Sequence, residues 1–261
     1  MRKRHFLLLP LCALLCACPC KKSGEGGEEE QAELSWGTAT LNIREPIAPD
    51  DTLCYEIDLM LDTLSGDSPL AENLSTVLRD SVLRKPRCAT LKEAMAAFAD
   101  STKADWKVEI AEMYDTETDF NDGLQFSHEM EGFHLNIGRE DILTYQVTQD
   151  YYLGGPHGLY VINYYNFDRK SGKLISIRDI VPADKEKEVL KQMEEQLCRD
   201  WNAKDVDDLR EQTGILMMSE LFLTNNFLLK KDSIEFLFNQ YEIAPYAAGL
   251  ISVTIPSPAN Q

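Results

Sequence analysis

The chain has little of what catalytic and metal centres are usually built from. Histidine occurs only 4 times in 261 residues, and no His-Glu-x-x-His, Gly-x-Ser-x-Gly or P-loop pattern is present. No Cys-x-x-Cys pair or Cys/His spacing suited to zinc occurs, which argues against a zinc site or a thioredoxin-like centre. His128 and His134 are six apart, fitting neither a helical i,i+4 pair nor an alternating strand with a third ligand. Basic residues are scarce, with 26 Lys+Arg against 44 Asp+Glu and a net charge of −18. That balance excludes general nucleic-acid binding and a polybasic membrane-binding surface, since both need Lys/Arg-rich faces. After the first seventeen residues no apolar run is long enough to cross a bilayer as a helix. We therefore expect no metal, no cofactor and no catalytic residue.

What is present begins at the N-terminus. Arg2, Lys3 and Arg4 precede the apolar run Phe6 to Ala17, the pattern of a secretory signal. Leu15-Cys16-Ala17-Cys18 resembles a bacterial lipobox, so residues 1–17 are expected to be a lipoprotein signal peptide and Cys18 the lipidated residue. The next stretch holds Glu25, Glu28, Glu29 and Glu30 among glycines, and residues 18–35 read as an acidic flexible tether. Four of the 7 cysteines, Cys20, Cys54, Cys88 and Cys198, remain for pairing. Cys54–Cys88 is the favoured bridge and buried free thiols are the alternative.

Periodicity divides the remainder. Thr38 to Ile43 and the alternating Tyr55, Ile57, Leu59, Leu61 read as strands. Ser68-Pro69 supplies an N-cap with proline at the first helical position, and Thr90-Leu-Lys-Glu93 a capping box. Strands follow at Phe133–Ile137, Leu143–Leu153 and Leu159–Phe167, with a turn at Lys170-Ser171-Gly172. A helix carries Leu190, Met193, Leu197 and Trp201 on one face, and a shorter one lies around Val206 to Thr213. The chain closes on Phe227/Leu229, Ile234/Phe236/Phe238 and Ile251/Val253/Ile255. Helices grouped between strand runs predict an α+β fold of two small lobes, antiparallel sheets with helices packed on them. The lobes are drawn at 36–139 and 140–257.

Two local features carry the functional reading. Asp115 to Gly123 is rich in carboxylates but fits no EF-hand register, so it reads as a solvated acidic loop. Gly154-Gly155-Pro156-His157-Gly158 indicates a loop needing positive φ or close backbone approach. It is either a ligand contact made by backbone N–H groups and His157, or a structural corner whose histidine bonds the scaffold.

That loop, followed by Asn166-Phe167-Asp168, Ser171-Gly172-Lys173 and Ile177-Arg178-Asp179-Ile180, resembles the extracytoplasmic domain of the RsiV family. Tyr241-Glu242-Ile243-Ala244-Pro245-Tyr246, with Val253-Thr254-Ile255-Pro256 after it, is similar to the second hallmark of the same family. Pro156 stands where that family shows alanine. The resemblance implies a recognition domain, known in that family to bind lysozyme and found beside a peptidoglycan deacetylase domain. We expect a non-enzymatic, lipid-anchored cell-envelope protein on the outer or cytoplasmic membrane, facing periplasm or cell surface. Its partner is expected to be a cationic protein such as lysozyme, or a cell-wall glycan. Gly154, Gly155, His157, Gly158, Tyr241 and Tyr246 are the ligand-binding candidates. The alternative is a peptidoglycan or polysaccharide hydrolase or deacetylase using His157.

Overall fold

The computed structural model describes residues 34–46, 54–113, 126–154 and 156–257. The signal segment, Cys18, Cys20, all but the last residues of the tether, the 115–123 acidic loop and Gly155 lie outside the described residues. The fold is mixed α+β, with one six-stranded sheet, one three-stranded sheet and several helices.

The large sheet has the order β1-β2-β3-β4-β5-β6, from β1 (Ser35–Pro46), β2 (Cys54–Ser65), β3 (Phe126–Leu135), β4 (Ile142–Leu153), β5 (Leu159–Asp168) and β6 (Leu174–Ile175). It is mixed: β2 and β3 run parallel, while its other neighbours run antiparallel. A parallel pair needs a crossover connection, and α1 (Pro69–Val77), a π-helical turn (Leu78–Val82) and α2 (Leu91–Met113) supply it between β2 and β3. β3 and β4 pair with each other, with residues 139 and 140 in the connection between them.

Period-two alternation decides which face of that sheet is covered. Ile57, Leu59 and Leu61 point inward with Phe126, Met130, Tyr145 and Val147, all nearly or fully buried. Leu70, Leu74, Leu78, Met95, Ala99 and Trp106 from the helices close over them as one core. Each fully buried side chain of this size stabilises by about 1.5–3 kcal/mol before chain entropy is subtracted. The caps form as the sequence predicts: Ser68 accepts from Ala71 N at 3.1 Å, and Thr90 and Glu93 exchange backbone contacts at 3.2 and 3.3 Å.

The second core lies on the three-stranded antiparallel sheet β7 (Phe227–Leu229), β8 (Ser233–Phe238) and β9 (Ile251–Pro256). Val189, Met193 and Leu197 of α4 (Glu186–Asp200) and Leu209 of α5 (Val206–Thr213) pack on it. A short helix, α3 (Ile177–Ile180), links β6 to this part.

The expected Cys54–Cys88 bridge does not form. Cys54 opens β2 opposite Pro46, whereas Cys88 lies in the turn before α2 against the first core, its carbonyl accepting from Arg79. Cys88 and Cys198 are free thiols packed at the margins of different cores.

Candidate functional site

The second core is fastened to the open edge of β5 by carboxamides, and this attachment builds the site. In β5, residues 160, 162 and 164 turn their N–H groups away from β4, where no strand pairs with them. Gln240 Oε1 accepts from Tyr160 N at 3.1 Å, Asn239 Oδ1 from Ile162 N at 2.9 Å, and Asn226 Oδ1 from Tyr164 N at 2.9 Å. The amides of Asn226 and Asn239 donate back to the Ile162 carbonyl at 2.7 and 3.1 Å. Side chains thus finish a ladder that a strand would otherwise finish. Further along, buried Asn166 accepts from Thr144 Oγ1 and donates to the Phe227 carbonyl, both at 2.8 Å.

The motif acids nearby hold turns. Asp168 accepts from Ser171 N and Oγ at 2.7 and 2.6 Å, bonds that hold its pKa below the usual carboxylate range. Asp179 takes Lys173 Nζ at 2.6 Å and Ser176 N at 2.8 Å, and the lysine contact first, then the serine, bring its carboxyl down to about 2.

At the far end of β5 the loop from Gly154 meets the segment after β8. Gly154 has φ +75°, as its place in the loop suggests. At Gly158 a β-carbon would stand 3.2 Å from the Tyr151 carbonyl oxygen, which would have to give by a few tenths of an ångström, and 3.6 Å from Asp150 Oδ1, an ordinary contact. The exposed His157 ring stacks on Tyr246 with centroids 3.6 Å apart and planes 16° apart. Its Nδ1 lies 3.1 Å from the Gly158 carbonyl, which can only accept, so Nδ1 carries the proton. Nε2 then accepts from the Tyr241 hydroxyl at 3.4 Å. Tyr241 is 45% exposed and lies 5.9 Å from Tyr246 by ring centroids. It sits at φ +68°, a left-handed conformation that costs a non-glycine residue on the order of 1–2 kcal/mol.

Five of the six sequence-predicted site residues, Gly154, His157, Gly158, Tyr241 and Tyr246, thus belong to two segments that meet at one corner; Gly155 is the sixth. Both His157 nitrogens face a carbonyl and a phenol, an arrangement that orients the ring. Among the described residues no group of three His, Cys, Asp or Glu is placed to hold a metal ion.

The acidic residues beside this corner escape sequence reading. On the outer face of the sheet Asp58 pairs with Glu129 across β2/β3, Glu129 with Asp150 across β3/β4, and Asp150 with Tyr160 across β4/β5. Three exposed carboxylates therefore stand in one row about 4.8 Å apart per strand. None of them forms an ion pair among the described residues; Asp58 accepts from Asn42 Nδ2. Like charges directly opposite one another destabilise a sheet. The row ends at Tyr160, which is 40% exposed, and at Asp150 beside Gly158. No signal in the sequence brings these residues together, because they are far apart along the chain and only the strand register aligns them.

Comparison with known proteins bears on the last third of the chain and on the fold. Residues 178–257 match the family described as Protein of unknown function (DUF3298). No curated protein matches the chain. The fold is similar to the crystal structure of a DUF3298 family member from Bacteroides fragilis NCTC 9343, with a TM-score of 0.75 and 18% identity over 87% of this chain and 91% of that one. It is also similar to a DUF3298 family protein from Pseudomonas aeruginosa PAO1, with a TM-score of 0.56 and 16% identity over 87% and 92%. Residues 178–257, from α3 through β9, therefore match DUF3298, and the described fold is that of two solved structures from the same family.

Proposed function

We propose that the protein is a lipid-anchored, non-catalytic cell-envelope protein that captures a cationic protein, of lysozyme type, on the face formed by the carboxylate row and the His157–Tyr241–Tyr246 corner. The observation that carries this reading is the row Asp58–Glu129–Asp150, which forms no ion pair among the described residues and ends at exposed Tyr160 and beside Gly158, the neighbour of the His157 ring stacked on Tyr246. A like-charged row lowers the stability of the sheet that bears it, and a partner's Lys and Arg would relieve that repulsion. Tyrosines with an apolar body and a polar tip are the residues that dominate protein-binding energy. The net charge of −18 steers a basic partner toward this face and repels anionic polymers. The resemblance to the RsiV extracytoplasmic domain points to the same class of partner. Cys18 would hold the protein at the membrane through its lipid, and mass spectrometry of the mature N-terminus reads that modification directly.

Tyr241 gives the test. Its left-handed backbone suits glycine better, so Tyr241→Gly should keep or raise the melting temperature while removing the ring. Calorimetric titration of the chain with lysozyme at about 0.15 M salt should saturate at fixed stoichiometry. Tyr241→Gly should weaken that binding at least about tenfold. Unchanged affinity would remove the aromatic corner from the site. A glycan hydrolase or deacetylase activity abolished by His157→Ala, with the fold intact, would overturn the non-catalytic reading.

A further inference from the structure

The two sides of the large sheet are finished differently. At β5 the N–H groups facing away from β4 are taken up by Gln240, Asn239 and Asn226. On the other side β1 pairs only with β2, and among the described residues nothing bonds the outer edge of its backbone. A row of free N–H and C=O groups is a template for another strand, and proteins blunt it with lysine, proline, a bulge or a short strand. β1 uses none of these. It runs for 12 residues without a lysine, and its one proline, Pro46, closes it. Its register with β2 advances without a break from Ser35↔Ser65 to Pro46↔Cys54. Its polar side chains reach back into the protein: Thr38 to Asp62, Asn42 to Asp58, Arg44 to Glu56 and Glu45 to Lys103 of α2.

Charge and exposure select the occupant. In a chain of net charge −18, β1 carries one arginine and one glutamate and so no net charge. A cationic protein gains little on this strip, whereas two copies of an acidic chain meet there with the least repulsion. Ala39, Leu41 and Ile43 pack on the first core yet stay only half-buried at the edge. Leu34, Trp36 and Met60, the last opposite Thr40 in β2, are 44, 38 and 46% exposed.

The strand is also complementary to itself. A two-fold axis perpendicular to the sheet keeps core-side residues together when paired positions are both odd or both even. Centred on Thr40, such a pairing sets Thr40 against Thr40, Asn42 against Thr38 and Arg44 against Trp36 on the outer side. On the core side it sets Leu41 against Ala39 and Ile43 against Gly37. The Trp36 ring stacks on His134 with centroids 4.0 Å apart and remains part-exposed, so it can receive a guanidinium. The Arg44 side chain is 69% exposed and free to supply it. Moving the register by one pair either way sets Arg44 against Thr38 or Leu34 and loses that contact.

We propose that β1 is a homodimer interface, on which a second copy of this chain lays its own β1 antiparallel about a two-fold axis at Thr40. Two six-stranded sheets thereby join into one of twelve strands. The outer faces of both copies then look the same way, so the two Asp58–Glu129–Asp150 rows lie on one surface. The interface does not depend on the partner assigned above to those rows.

Sedimentation velocity of the chain at about 50 μM reads the association, and the parent should sediment as a dimer. Thr40 and Arg44 are exposed, so Thr40→Lys, Thr40→Glu and Arg44→Ala should keep the fold, which thermal melts check. Thr40→Lys alone and Thr40→Glu alone each set like charges against one another at the axis, and each should weaken the dimer at least about fivefold. An equimolar mixture of the two sets lysine against glutamate and should return the affinity to within about twofold of the parent. Arg44→Ala removes a contact made twice per dimer and should weaken it about fivefold as well. A monomeric parent at that concentration would overturn the proposal. A dimer that ignores all three substitutions, or Thr40 variants that do not recover on mixing, would overturn it equally.

Discussion

A histidine on the inner face of β3 links stability to pH. His128 lies against Phe98 and Tyr151, with ring centroids at 5.2 and 5.5 Å, and shares a 3.1 Å hydrogen bond with Gln149 Oε1. Burial lowers its pKa below the ordinary value of 6.5, outweighing the Gln149 bond, which raises it. The unfolded chain therefore takes up a proton as pH falls below about 6.5, while the folded chain stays neutral until a lower pH. Stability linked to His128 is complete above 6.5 and drains away below it, by up to about 1.4 kcal/mol per pH unit. His128→Gln removes the titrating group, so denaturant unfolding free energies between pH 6.5 and 5 should fall less steeply in the variant than in the parent. Parallel profiles would mean that His128 is not the group responsible. Sequence reading considered His128 only as a metal ligand; its setting comes from α2 folding over β3, which no local pattern reveals.

At the scale of elements, the turn after β5 is a joint between the sheet and the first helix. Gly172 has φ +70°, and a β-carbon there would lie 2.5 Å from Leu70 N and from the Pro69 carbonyl carbon. Asn73 Nδ2 also donates to the Gly172 carbonyl at 3.0 Å. The start of α1 is thus pressed against this turn, and neither backbone can yield without moving an element. Gly172→Ala should cost about 2–4 kcal/mol, read as a lower urea midpoint at unchanged slope. A loss below about 1 kcal/mol would show that the joint relaxes. The sequence signals Gly172 as a turn glycine, but not the helix behind it. The same division runs through the fold. Ser68, Thr90 and Glu93 are legible because capping is settled within a few residues. The π-helical turn at Leu78–Val82 continues the same apolar spacing as α1 and leaves no separate mark. The parallel pairing of β2 with β3 depends on how the intervening helices cross, so alternation alone could not give it.

Over the whole molecule, two cores are held together by side-chain amides, and one face carries a row of carboxylates that forms no ion pair among the described residues. The aromatic half of that face was legible as two motifs, because glycines, histidine and tyrosines are compact signals. The acidic half was not, since Asp58, Glu129 and Asp150 become neighbours only through strand register. The measurement that tests the central claim most directly is the affinity of the triple variant Asp58→Asn, Glu129→Gln, Asp150→Asn for lysozyme, with cytochrome c as a second basic protein. Removing cross-strand repulsion should raise stability by about 0.2–1 kcal/mol per pair, so a weaker complex cannot be blamed on unfolding. The expected result is saturable binding of lysozyme by the parent at about 0.15 M salt, weakened at least about tenfold in the triple variant, with cytochrome c binding neither. Lysozyme affinity unchanged by the three substitutions, or equal attraction of both basic proteins that vanishes at that salt, would contradict it.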